Sequence, residues 1–94
     1  MEDFNKNDKQ HNFCQIKGKI TEIIDGEKFG SVTLEVGHEK PRSVNLILKK
    51  TMVQDIQKDY SINDKVCIGF YISSKNKEGK WRTMANVLFV EKEA

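Results

Sequence analysis

Phe13-Cys14-Gln15-Ile16-Lys17-Gly18-Lys19-Ile20-Thr21-Glu22-Ile23-Ile24 is the longest strand-like stretch of the chain, and the segments after it read as elements folded against it. Cys14, Ile16 and Ile20 fall two or four apart on one face, with Gln15, Lys17, Lys19 and Thr21 on the other. This is the period-2 alternation of a half-buried strand. Gly18 interrupts the apolar side. A glycine inside a strand packs nothing and weakens it, so it marks a sharp bend, a bulge or a close approach of backbone. A long, bent first strand is what a small barrel needs when one strand must pair on both sides. The alternation slips at Ile23-Ile24, which fits a bulge; an imperfect edge strand is the other reading of the same pattern.

Outward from that strand, Asp25 to Gly30 is a charged turn bracketed by two glycines. Ser31 to Val36 alternates again, with Val32, Leu34 and Val36 inward and Ser31, Thr33 and Glu35 outward. Gly37 to Arg42, with the chain's only proline, is a hairpin loop. Ser43 to Leu48 gives a third strand, with Val44, Leu46 and Leu48 inward and Asn45 and Ile47 outward. At Lys49 the period changes. Thr51 followed by Gln54 matches a capping box, and Val53, Ile56 and Tyr60, with Met52 beside them, make one apolar face of a helix of about three turns. Ser61 to Asp64 ends it. Lys65 to Ser73 is a fourth strand, with Val66, Ile68, Phe70 and Ile72 inward and Cys67, Gly69 and Tyr71 outward. Ser74 to Lys80 reads as a polar hairpin tip, and Trp81 to Val90 as a fifth strand with Ala85 and Val87 inward. The register of that strand is open, because Val87-Leu88-Phe89-Val90 does not alternate. Three strands, a helix and two strands is the element order of the OB-fold, an all-β, five-stranded Greek-key barrel with one short helix between strands 3 and 4.

Composition bounds the function. The 94 residues make one domain, able to bury about 60% of its unfolded surface. Residues 1–12 are polar apart from Met1 and Phe4 and read as a flexible N-terminal tail; residues 13–92 hold the OB-fold domain. No apolar run approaches membrane-spanning length and no signal-peptide pattern occurs, so the expected location is cytoplasmic. Cys14 and Cys67 read as small buried hydrophobes rather than disulfide partners. His11 and Cys14 lie three apart but have no CxxC or HxxxH grouping around them, so no metal is expected. Net charge is only +2, so any affinity for nucleic acid must come from local charge.

From Phe13 to Lys92 the chain resembles single-stranded-DNA-binding proteins of the bacterial type, and more closely the small domains of that kind that form a family of unknown function. The resemblance rests on Ile16-Lys17-Gly18-Lys19-Ile20, on Met52-Val53-Gln54-Asp55-Ile56 leading to Val66-Cys67-Ile68, and on Gly79-Lys80-Trp81-Arg82-Thr83. It implies an OB-fold, a single-stranded DNA or RNA partner, a homo-oligomer (dimer or tetramer), a role in DNA replication or repair, and no cofactor. The chain departs from the family on the third strand, whose outward residues are Asn45 and Ile47 instead of base-stacking aromatics.

Binding a single strand takes a cationic groove along the phosphates and aromatic faces for the bases. In an OB-fold the loops after strands 1 and 4 flank that groove. The second of these is the richest place in the chain, with Lys75, Lys77, Lys80 and Arg82 around Trp81 and a single acid, Glu78. The first adds Lys28 and Phe29; Lys17 and Lys19 lie on the outer face of the first strand and Tyr71 on that of the fourth. Each has a structural alternative. Trp81 could cap the barrel or pack on Tyr71, Phe29 could plug the barrel, and the lysines could simply solvate the surface. No Walker loop, GxSxG, HExxH or supported cysteine-histidine arrangement occurs, and the expectation is a binding module rather than an enzyme. The competing reading is a protein-interaction or oligomerisation module built on Ile47 and the Val87 to Val90 edge.

Overall fold

The computed structural model describes residues 13–93, so the tail expected over residues 1–12, with His11, lies outside the described residues. Alternating apolar residues form β1 (Phe13–Asp25), β2 (Phe29–Val36) and β3 (Arg42–Lys49). Then come the helix α1 (Lys50–Asp59), β4 (Lys65–Lys77) and β5 (Lys80–Lys92). The strands make one antiparallel sheet in the order β3-β2-β1-β4-β5. Its edge strands β3 and β5 come close without a ladder between them. With the helix between β3 and β4, this is the OB-fold arrangement expected from the element order.

β1 serves both halves of the sheet. Gly18 pairs with Val66 of β4, and Lys19 pairs both with Lys65 of β4 and with Glu35 of β2, so the strand passes from one neighbour to the other at this point. A Cβ on Gly18 would lie 2.6 Å from the Glu35 carbonyl oxygen, so the glycine permits the close backbone approach its position predicts. The slip in alternation is a bulge: Ile20 faces Leu34 and Glu22 faces Thr33, leaving Thr21 unpaired in the ladder. The extra residue carries the inner face from Ile20 to Ile23. On the side of β4, beyond the last ladder pair, Ile20 N–H donates to the Asp64 carbonyl (2.9 Å) and its own carbonyl accepts from Asn63 N–H (2.7 Å), so the backbone stays satisfied where the strands part.

The core holds Ile20, Val32, Leu34, Leu48, Val66 and Ile68 from the strands and Val53 from the helix, all fully buried. Each such side chain contributes about 1.5–3 kcal/mol relative to exposure. Val53 seats against Gly30, where a Cβ would come within 2.7 Å of its Cγ2. Tyr60, at the helix C-cap, donates its hydroxyl to the Val90 carbonyl (3.1 Å) and ties α1 to β5.

Several local expectations give way. The Thr51–Gln54 capping box does not form: Lys49 holds the N-cap position without a side-chain cap bond. β3 runs into α1 with no intervening loop, so the end of the strand sets the helix start. The first turn is anchored instead by Lys50, whose ammonium lies 2.9 Å from Asp25 Oδ1 and 2.8 Å from the Gly26 carbonyl. Ser31, Cys67 and Gly69 are buried although they lie on the outward side, and Ile72, expected inward, is exposed. The ring of Phe89 covers Gly69 and stands 6.3 Å from that of Phe13, which gives the outer sheet face a small apolar cluster of its own. The irregular run in β5 is a second bulge. Phe89 faces Gly69 and Val87 faces Phe70, so Leu88 is the extra residue, 47% exposed. Both cysteines are free thiols.

Candidate nucleic-acid interface

β4 and β5 run on beyond the point where β4 stops pairing with β1 at Tyr71. Both continue as a two-stranded arm, paired down to Lys77 and Lys80, where sequence reasoning expects a loop from Ser74 to Lys80. The arm shows no hydrophobic alternation because its far half buries no apolar side chain; polar pairing holds it instead. Ser74 and Thr83 share a hydroxyl hydrogen bond (2.8 Å), and the Asn86 amide donates to the Ser73 hydroxyl (2.8 Å) and the Tyr71 carbonyl (3.2 Å). Its two-residue turn is Glu78-Gly79, both at positive φ (55° and 82°), as a type I′ hairpin requires. Asn76 Oδ1 accepts from Gly79 N–H (3.2 Å) and closes the turn.

Between the arm and the start of β2 runs a groove of about 830 Å³. Seven of the ten sequence-predicted site residues line it, namely Lys28, Phe29, Lys75, Lys77, Lys80, Trp81 and Arg82. Lys49 lines it too, as do the polar Ser73, Asn76 and Asn86. Sequence reasoning missed Lys49, although it continues the outward alternation of Asn45 and Ile47 and stands opposite Phe29 in the β2–β3 ladder. The groove thus carries six cations against one acid, Glu78. Among the described residues none of the six is ion-paired, whereas Lys17, Lys19, Lys50 and Lys58 pair with Glu93, Glu35, Asp25 and Asp55.

Within the arm the cations oppose one another. Lys75 stands directly across from Arg82, and Lys77 from Lys80. Like charges in such positions destabilise a ladder. Trp81 is 71% exposed near the tip, so it neither caps the barrel nor packs on Tyr71. Phe29 does not plug the barrel; it lies at the groove with the Arg82 guanidinium carbon 4.4 Å from its ring centroid.

Lys17, Lys19 and Tyr71 do not line this groove. Lys17 and Lys19 sit where β1 meets β4 and β2, with their partners Glu93 and Glu35 at 3.8 and 3.7 Å. Tyr71 lies between Phe13 and Asn86 in the sheet, half-buried. The outer face of β2 and β3 carries a polar contact, Asn45 Nδ2 donating to Thr33 Oγ1 (2.8 Å), in place of an aromatic platform.

By sequence, no protein-family model and no curated protein matches the chain. By structure it is similar to a small single-stranded DNA-binding protein from Streptomyces coelicolor, with a TM-score of 0.53 over 86% of this chain and 93% of that one, at 13% sequence identity. What the two share at that identity is the fold, five antiparallel strands with a helix between the third and fourth.

Proposed function

We propose that this chain binds single-stranded nucleic acid, DNA in the first instance, with little sequence preference, through the groove between the arm and β2. The observation that carries the reading is the gathering around one groove of six cations, none ion-paired among the described residues, with an exposed indole beside them. Lys28, Lys49, Lys75, Lys77 and Lys80 meet phosphates, and Trp81 offers a face on which any base can stack. The likeness to a small single-stranded DNA-binding protein supports the same assignment. Low sequence preference follows from the chemistry, since phosphate contacts and stacking carry no base identity.

The test is fluorescence anisotropy of a labelled dT oligomer titrated with the protein, then competed with unlabelled single strand and with duplex. Binding displaced far better by single strand than by duplex is the expected result. No anisotropy change at tens of micromolar protein sinks the assignment.

A second reading has one observation in its favour. The β5 bulge projects Leu88 into solvent, and Ile47 is exposed on β3, so these residues could join copies of the chain. Such association is compatible with strand binding, because neither residue lines the groove.

A further inference from the structure

The geometry points to Arg82 as a stacking plate for a base rather than a phosphate clamp, a division of labour among the groove cations that rests on the nucleic-acid reading above. Among the described residues Arg82 is the one groove cation whose charged end lies over an aromatic ring, 4.4 Å from the Phe29 centroid. Its cross-strand neighbour is Lys75, whose like charge drives it away from the ladder, and no carboxylate among the described residues draws it back. The Phe29 ring, electron-rich on its face, is where it comes to rest.

That placement has consequences for a ligand. With one face of Phe29 covered, a base entering the groove at this point meets the guanidinium before it meets the ring. A guanidinium is planar, delocalised and weakly hydrated, so it presents a second flat surface on which a base stacks, extending the pile begun by Phe29. An ammonium cannot do this. Lys28, Lys49, Lys75, Lys77 and Lys80 remain point charges suited to phosphate. Trp81 and Arg82 are neighbours in β5, so their side chains leave the strand on opposite sides. The arm therefore carries two separate stacking faces, Trp81 on one side near its tip and Arg82 on the other against Phe29.

Arg82→Lys separates charge from plane. Its affinity is measured for a dT oligomer and for an abasic deoxyribose-phosphate oligomer of equal length, with circular dichroism confirming the fold. The dT affinity should fall about tenfold, within the range for losing one base stack. The abasic affinity should stay unchanged, and the salt dependence of dT binding should keep its slope. Phe29→Leu, which removes the support beneath the guanidinium, should reproduce this pattern, and the double variant should lose little more than either single one. Unchanged dT affinity in Arg82→Lys, or an equal loss for both oligomers, overturns the stacking role while leaving strand binding intact. Failure of the unaltered protein to bind the dT oligomer overturns both readings.

Discussion

Lys75 and Arg82 stand directly opposite each other in the β4–β5 ladder, and a second cationic pair, Lys77 and Lys80, follows at the turn. A directly opposed like pair costs about 0.2–1 kcal/mol relative to a neutral one. Lysines on an exposed hairpin guard its edges against pairing with other chains, and a polyanion laid along this one would also relieve the repulsion between its four cations. The arm is thus less stable than its backbone pairing allows, and binding should stabilise it.

Lys75→Thr relieves one of these pairs and supplies a residue favoured in strands. The variant should be as stable as the unaltered chain or more so, by up to about 1 kcal/mol, and should bind single strands more weakly. Denaturant unfolding and a dT titration on the same preparation check both halves. Lower stability together with undiminished binding would show that the cation pair has no functional cost attached to it.

Gly69 lies beneath the Phe89 ring, in contact with it, so a Cβ at position 69 would run into ring atoms. Phe89 cannot withdraw freely, because the bulge at Leu88 fixes its register and Phe13 stands beside it. Gly69→Ala should cost about 1–3 kcal/mol by overpacking. For a domain of this size each kcal/mol lowers Tm by roughly 4–8 °C, and thermal melting by circular dichroism reads the loss. A melting curve identical to that of the unaltered chain would mean that Phe89 does not hold the place described.

The Lys50 ammonium, hydrogen-bonded to Asp25, holds that carboxyl below its ordinary range, against the opposing effect of partial desolvation. A carboxyl depressed in the folded state contributes stability that is fully present above its unfolded pKa, about 4, and is lost as pH falls through the lower folded value. The anchored segment is the start of α1. Asp25→Asn should therefore melt lower than the unaltered chain at neutral pH, and the gap should narrow only below about pH 4. A gap that persists undiminished to about pH 2 would assign its origin to something other than this ion pair.

The strands were legible because alternation is a direct imprint of one buried face. A bulge also shows in the sequence, as the slip at Ile23-Ile24, although the structure sets it slightly earlier, at Thr21. What escaped was set by contacts between elements. The capping box at Thr51 and Gln54 was a sound local pattern, overridden because β3 delivers Lys49 straight into the helix. The bulge at Leu88 left only an irregular run, since Phe89 faces a glycine on the outer surface and Val87 the core. In the sequence the outer arm reads as a loop for a related reason: residues 74–83 pair through backbone and polar side chains and bury nothing that periodicity could reveal. At the site, the cluster around Trp81 was visible as composition. Its meeting with Phe29 and Lys28 followed from the OB topology, whereas Lys49 was concealed at the junction of two elements. The ion pairs that take Lys17 and Lys19 to Glu93 and Glu35 join residues distant in sequence and left no local trace.

In the proposed function Trp81 and the cations around it receive a single strand. Trp81 is the chain's only tryptophan, so its fluorescence reports that site alone. The decisive measurement is its quenching by a dT oligomer at about 50 and about 200 mM salt. Each neutralised phosphate contributes about −0.7 to the log–log salt slope for single strands, so five of them weaken binding about a hundredfold over that interval. The account predicts saturable quenching with a loss of that order, and a slope about 0.7 shallower in Lys77→Ala or Lys80→Ala. Fluorescence that stays unchanged while the oligomer binds, or a salt slope near zero, would contradict it.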